Sequence, residues 1–157
     1  MIPLSVPNIS GNEWQYVKEC LDTEWVSSAG KYVDLFEKKI AEYTGTKFAV
    51  ACLNGTSALQ VSIRLAGVQS GEEVIIPTLT FIAPVNAIVY NGASPVFMDV
   101  DKYYNIDVDK TISFLNQETF MRNGYTYNKK TKKKISAIVP VHMWGNASNL
   151  IELLPIC

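Results

Sequence analysis

The sequence is poor in cysteine and histidine and has no excess of either charge. Its 157 residues contain three cysteines and one histidine, and 14 basic against 15 acidic side chains give a formal net charge of −1. Cys20, Cys52 and Cys157 are odd in number and widely spaced, so neither a disulfide framework nor a metal site is predicted, and a cytoplasmic location is expected. Without excess positive charge, we expect no nucleic-acid partner and no anionic membrane partner.

Long hydrophobic runs and a targeting segment are also lacking. No apolar stretch approaches the roughly 20 residues that cross a bilayer, and the first five residues lack the basic start and apolar core of a signal peptide. With 48% hydrophobic and 18% charged residues, the chain can bury an ordinary core, and one soluble domain is expected. Positive charge is concentrated at residues 129–134, a lysine cluster that we interpret as a solvated loop rather than a polyanion contact.

The hydrophobic pattern predicts two helices followed by alternating strands and helices. Ser10 and Glu13 have the spacing of a capping box before the first helix, and the second helix is expected to end at Gly45. Strands are predicted at 48–53, 73–76, 95–100 and 135–141, helices up to 66 and at 83–90, 107–116 and 147–154, and a surface hairpin or loop at 123–134. Helical connections predict an α/β fold with a mostly parallel sheet, in which ligands bind beyond the carboxyl ends of the strands.

The segment Asn54-Gly55-Thr56-Ser57 is the strongest candidate site at that edge of the sheet. Between a strand and a helix, it would direct a glycine, two hydroxyls and the free N–H groups of a helix start at one point, which suits a phosphate. Many strand-to-helix turns use glycine and a hydroxyl cap without binding anything, so a purely structural role remains open.

Three further segments follow predicted strands at the same edge. Phe81 could stack on a flat heterocycle or pack into the core. His142 could donate a hydrogen bond to a ligand oxygen or bond a backbone group. Asp99 and Asp101 would point the same way, but carboxylates at a strand end are usually solvated or capping, so no acid–base role is assigned.

Taken in order, these segments resemble the N-terminal portion of the DegT/StrS-type nucleotide-sugar aminotransferases. The excursion at 123–134 is further similar to the LegC-like subgroup, which is associated with a 4-amino sugar precursor of legionaminic-type nonulosonic acids. The blocks that carry the resemblance are 25–30, 36–37, 54–59, 71–75, 77–81, 86–88, 95–101 and 140–146.

The resemblance implies the fold type I architecture of pyridoxal 5'-phosphate enzymes. Residues 1–157 would be the N-terminal part of the large cofactor-binding domain, with the small C-terminal domain absent. It further implies a homodimer whose sites draw on both subunits. The cofactor-binding residues that it implies are Gly55, Thr56 and Ser57 at the phosphate, Phe81 on the pyridine ring and His142 nearby. The substrate residues that it implies are Trp25, Ser27, Ser28, Gly30 and Asn86.

The sequence departs from the family in one respect. Members need a lysine that tethers the cofactor and an aspartate that pairs with its pyridine nitrogen, and neither block has a counterpart here. We therefore expect a truncated enzyme, inactive alone and without catalytic residues of its own. Its full-length form would transfer an amino group, usually from glutamate, to the C4 keto group of a UDP-linked 4-keto-6-deoxy hexose. The alternatives are a sugar dehydratase of the same family and a non-catalytic fragment that binds a phosphorylated ligand or dimerises.

Overall fold

A computed structural model describes residues 2–3 and 5–157. The chain divides into two compact units, Met1–Ala51 and Cys52–Cys157. The first unit contains helix α1 (Glu13–Asp22) and helix α2 (Lys31–Thr44). Helix α2 ends as predicted, because Gly45 takes the left-handed conformation (φ 69°) and its N–H bonds the carbonyl of Ala41.

The predicted capping box of helix α1 is wrong. The helix begins after Asn12, and no side chain caps its first turn. The Glu13 carboxylate instead accepts the N–H of Gly11 at 2.8 Å. This short-range bond uses the carboxylate that the capping box would have required for Ser10, so Ser10 lies outside the helix.

The second unit is built on a five-stranded sheet with strand order β2-β1-β5-β4-β3. Strands β2, β1 and β5 are parallel, whereas β5, β4 and β3 are antiparallel. The helices and strands, in chain order, are α3 (Gly55–Leu65), β1 (Glu73–Pro77), α4 (Ile82–Tyr90), β2 (Ser94–Met98), α5 (Val108–Glu118), β3 (Thr119–Arg122), β4 (Tyr125–Asn128), β5 (Lys134–Ile138) and α6 (Leu150–Leu153), with single 3-10 turns at Met143–Gly145 and Leu154–Ile156.

Strand β1 lies at the centre of the core, with all five of its residues buried. Its side chains alternate between two apolar clusters. Val74 and Ile76 pack with residues of α3 and α4, and Ile75 packs with residues of α5 and β2. Helices therefore cover both faces of the parallel half of the sheet, which confirms the α/β class.

Two predictions about strands do not hold. Residues 48–53 form no strand, and Phe48, Val50 and Leu53 are 75%, 82% and 94% exposed. An apolar run becomes a strand only when another strand pairs with it, and none does so within the described residues. The sheet is also less parallel than predicted, because the polar segment folds into the β3–β4 hairpin and joins β5.

The hairpin is anchored by a buried polar pair. Asn128, at the end of β4, donates from Nδ2 to the Glu73 carboxylate at 2.9 Å, and both residues are buried. Asn128 Oδ1 also accepts the N–H of Lys130 at 2.9 Å in the following turn. The lysine cluster is mostly exposed, in agreement with a solvated loop. Over residues 2–3 and 5–157, no helix has the length and apolarity to traverse a bilayer.

Candidate functional site

Helix α3 presents unpaired backbone donors at its first turn. Asn54 is extended (φ −160°, ψ 171°) and caps the helix, because its Oδ1 accepts the N–H of Ser57 at 2.9 Å. The N–H groups of Gly55 and Thr56 have no acceptor in the described part of the chain. Two donors at the positive end of the helix are therefore available to an anion.

The space around Gly55 is open. A Cβ atom at this position would meet no atom within 4 Å, and its φ is not in the left-handed region. Neither packing nor backbone strain within the described residues requires glycine there. A missing side chain at the helix start does leave the adjacent N–H groups accessible to a bound group.

Phe81 lies outside the core. It follows β1, directly precedes α4, and is 77% exposed. The core-packing alternative is therefore wrong, and the ring is free to stack on a flat group. Next to it, the hydroxyl of Thr80 is buried without a hydrogen-bond partner in the described residues.

His142 bonds a backbone group, as one of the two sequence hypotheses proposed. Its Nδ1 accepts the N–H of Ser148 at 3.0 Å, and the residue is exposed. The Ser148 hydroxyl donates to the carbonyl of Val141 at 3.2 Å. The Nε2 atom of the imidazole is therefore the nitrogen left for a ligand.

Strands β1 and β5 bring Phe81 and His142 to one edge of the sheet. Strands β1 and β5 are adjacent and parallel, so Phe81 and His142 follow the carboxyl ends of neighbouring strands. Helix α3 packs against α4, which begins directly after Phe81. The carboxyl edge of the parallel strands therefore carries Phe81 and His142, whereas residues 48–53, which were predicted to lead Asn54 to this edge, form no strand.

The two aspartates at this edge are used locally. Asp99 pairs with Lys110 and accepts the N–H of Val100, and the hydrogen bond from Lys110 is the main cause that holds the pKa of Asp99 below its ordinary value. Asp101 Oδ1 accepts the N–H of Tyr103 at 2.7 Å. Both carboxylates therefore have local partners, as expected at the end of a strand.

The predicted substrate residues fall in both units. In the first unit, Trp25, Ser27 and Gly30 line a cavity of about 470 Å³ between the end of α1 and the start of α2. Ser28 lies in the same loop without lining the cavity. Asn86 belongs to the second unit, where it is half-buried in α4.

An ionic cluster links the two helices that flank this loop, α1 and α2. Glu19 accepts hydrogen bonds from the Lys31 ammonium and, at 2.6 Å, from the Tyr32 hydroxyl. The bond from Lys31 is the main cause that lowers the pKa of Glu19, and the same carboxylate raises the pKa of both Lys31 and Tyr32. Sequence reasoning missed this cluster, because its members lie on two helices and no periodicity links them.

Asn54 belongs to the candidate segment, but the sequence analysis did not assign it the role of helix cap. The signal was present, since asparagine is among the preferred N-cap residues and stands directly before the glycine. Its cap removes the Ser57 N–H from the donors available to a ligand, so Ser57 keeps only its hydroxyl for that purpose.

The chain is similar to known proteins along nearly its whole length. The profile of the DegT/DnrJ/EryC1/StrS aminotransferase family matches residues 7–157. The chain belongs to this family. Among curated DegT/DnrJ/EryC1/StrS relatives, the GDP-perosamine synthase of Caulobacter vibrioides is 38% identical over 156 residues, which are 99% of this chain and 38% of that relative.

Solved structures of the family share the fold. A DegT DnrJ EryC1 StrS aminotransferase from Brucella abortus is 30% identical, with a TM-score of 0.77 over 90% of this chain and 36% of that one. The PLP-form of the putative sugar aminotransferase Spr1654 from Streptococcus pneumoniae is 26% identical, with a TM-score of 0.79 over 99% of this chain and 36% of that one. The chain thus spans little more than a third of the length of the relatives it matches.

Proposed function

We propose that this chain is the part of a nucleotide-sugar aminotransferase that holds the phosphate of pyridoxal 5'-phosphate, residues 1–157 being the N-terminal part of the large domain. The observation that carries the proposal is that the N–H groups of Gly55 and Thr56 have no partner among the described residues, and that the space around Gly55 is open. Membership of an aminotransferase family supports it. A solved family member in a PLP-form adds support for the cofactor.

The residues of the second unit fit such a cofactor. The N–H groups of Gly55 and Thr56, with the hydroxyls of Thr56 and Ser57, would hold the phosphate. The exposed ring of Phe81 would lie on the pyridine, and His142 would donate from Nε2 to an oxygen of the ligand. When bound, pyridoxal phosphate supplies the electron sink that amino-group transfer needs. The residues of this chain would then bind the cofactor and orient it.

For the whole protein, we propose transfer of an amino group, with glutamate as the donor, to the C4 keto group of a nucleotide-linked 4-keto-6-deoxy hexose. The LegC-like resemblance favours a UDP sugar, whereas similarity to proteins named GDP-perosamine synthase favours a GDP sugar. In the first unit, the cavity lined by Trp25, Ser27 and Gly30, with Ser28 in the same loop, is the proposed contact for the sugar nucleotide. For the second unit, Asn86 is proposed separately as a substrate residue.

We further propose that the tethering lysine and the pairing aspartate lie in the part of the relatives that this chain does not span. The chain alone would then bind the cofactor without attaching it covalently. A homodimer and a cytoplasmic location complete the proposal. The dehydratase and the non-catalytic fragment gain no support from a family described as aminotransferases.

Pyridoxamine 5'-phosphate is the sharpest probe, because it has no aldehyde and cannot react with exposed lysines such as those of the lysine cluster. Titration of the full chain should show binding of this compound and much weaker binding of pyridoxamine, which lacks the phosphate. Changing Thr56 to Val should weaken binding by about 1.5 to 3 kcal/mol, the contribution of a hydrogen bond to a charged group.

Ser62→Ala is the matched control, since Ser62 is an exposed hydroxyl residue on the same helix but away from its first turn. It should bind like the unchanged chain. Equal affinity for the two pyridoxamine compounds, or unchanged affinity in Thr56→Val, would remove the helix start from the proposed phosphate site.

A further inference from the structure

We propose that Asn105 is a positioning residue that fixes the loop of His142, so that the imidazole presents a protonated Nε2 as a hydrogen-bond donor at the carboxyl edge of the sheet. What that donor binds rests on the function proposed above. The position of the donor does not, because it follows from contacts within the second unit.

Asn105 clamps the loop through both ends of its side-chain amide. Its Oδ1 accepts the N–H of Met143 at 3.2 Å, and its Nδ2 donates to the carbonyl of Ala147 at 3.1 Å. Asn105 is only 2% exposed, so both bonds are shielded from water. The two backbone groups flank the 3-10 turn Met143–Gly145, and one amide therefore closes the loop from both sides.

The position of Asn105 is itself determined by Asp101. Asp101 Oδ1 accepts the N–H groups of Tyr103 at 2.7 Å and of Asn105 at 3.1 Å. The backbone N–H of Asp101 bonds the carbonyl of Asn105 at 2.8 Å. Residues 101–105 are thus a closed turn that holds the amide in one orientation.

A second set of contacts joins the two loops. Asn146 Nδ2 donates to the carbonyl of Tyr103 at 3.2 Å, and the rings of Tyr104 and Trp144 meet edge to face with centroids 5.4 Å apart. Tyr104 (φ 68°) and Trp144 (φ 50°) both have left-handed backbones, which non-glycine residues adopt only where their surroundings impose it. The two loops are therefore joined by a hydrogen bond and an aromatic contact.

The clamp determines which imidazole nitrogen carries the proton. The N–H of Ser148 points at Nδ1 of His142, and a donor can be accepted only by an unprotonated nitrogen. The proton of the neutral ring must then be on Nε2. Ser148 is buried and directly follows Ala147, whose carbonyl accepts the hydrogen bond from Asn105. Asn105 therefore positions Ser148, and Ser148 contacts the imidazole ring. The ligand chemistry that fits is an oxygen acceptor, such as a carboxylate, phenolate or carbonyl oxygen.

The single histidine makes this testable in the full chain. Long-range proton–nitrogen NMR of the 15N-labelled protein reports the two imidazole nitrogens of His142 without overlap. In mildly alkaline buffer, where imidazole is neutral, the unchanged chain should show an unprotonated Nδ1 and a protonated Nε2. Asn105→Ala should move the two nitrogen shifts towards each other, because both tautomers become populated.

Asn91→Ala is the matched control. The side-chain amide of Asn91 also takes part in two hydrogen bonds, both donated, to the carbonyls of Gln60 at 3.0 Å and Ala87 at 2.9 Å, but it joins α3 to α4 and does not contact the His142 loop. It should lose comparable stability and keep the His142 shifts of the unchanged chain. If the loss of two amide hydrogen bonds acted only through stability, Asn105→Ala and Asn91→Ala would have the same effect on the His142 shifts.

Asn105→Asp keeps an acceptor for Met143 and removes the donor to Ala147, so it gives an answer even where the alanine variant fails to fold. Nitrogen shifts that move in Asn105→Asp support the proposal, and shifts that stay at their original values overturn it, as does a proton on Nδ1 in the unchanged chain. Adding pyridoxamine phosphate separates the two proposals. If it does not bind while the tautomer results hold, the proposed function fails and the positioning role of Asn105 stands.

Discussion

The indole ring of Trp25 lies so close to Gly30 that a Cβ atom at position 30 would be 2.3 Å from Trp25 Nε1. The same nitrogen donates to the carbonyl of Ala29 at 2.7 Å, and Gly30 has φ 147°. The loop that lines the 470 Å³ cavity therefore depends on a tryptophan and a glycine held against each other.

Gly30→Ala should open this loop. The new methyl group would displace the indole and occupy a backbone region that alanine avoids, at a cost of about 1 to 3 kcal/mol in the free energy of unfolding. Chemical denaturation measures the loss. Gly45→Ala is the control, since it also has a positive φ but a Cβ there meets nothing within 4 Å. Gly45→Ala should lower the free energy of unfolding by only about 1 kcal/mol. Equal losses in the two variants would show that the contact with Trp25 contributes nothing.

The Asn54→Ala variant should distinguish the effect of the helix cap on stability from its effect on ligand affinity. It removes the cap of helix α3 and should cost about 0.5 to 2 kcal/mol of stability. Asp107→Ala removes the equivalent cap of α5, where the carboxylate accepts the N–H of Lys110, and should cost a similar amount. Only Asn54→Ala should alter the affinity for pyridoxamine phosphate, as measured by calorimetry. Comparable binding changes in both variants would point to global destabilisation.

Glu72 should make the free energy of unfolding depend on pH in the acid range. Burial raises the pKa of Glu72, but hydrogen bonds from Ser136, Gln69 and Lys134 outweigh it and hold the pKa below 4.5. Because the folded pKa is lowered, this stabilisation is complete above the unfolded value and is lost as the pH falls through the folded one. Glu72→Gln should reduce stability at neutral pH by about 1 to 3 kcal/mol.

The same variant should also show a shallower decline of stability below pH 4.5. Denaturation midpoints measured across acid pH test this expectation. A decline as steep in Glu72→Gln as in the unchanged chain would assign the acid sensitivity to other carboxylates.

Local signals in the sequence were sufficient to predict most helices and strands of the fold. The end of α2 followed from Gly45, and β1 followed from the buried run closed by Pro77, because capping and turn chemistry act over a few residues. Residues 48–53 carried an equally strong apolar pattern yet formed no strand, since pairing depends on a partner that the pattern itself does not contain.

The candidate site was predictable as separate segments but not as a network. Glycine, hydroxyls and a strand end marked Gly55, Thr56, Phe81 and His142 individually. The bonds of Asn105 to Met143 and Ala147 join residues 38 and 42 positions apart, and nothing in the spacing of the sequence specifies such contacts. The same holds for the bond between Asn128 and Glu73, which positions the hairpin.

We propose that the first turn of α3 binds the phosphate of the cofactor, and amide NMR of the full chain during titration with pyridoxamine phosphate is the decisive measurement. We expect the N–H signals of Gly55 and Thr56 to shift strongly with this compound and little with pyridoxamine. Shifts confined to the lysine cluster at residues 129–134, with Gly55 and Thr56 unmoved, would contradict it.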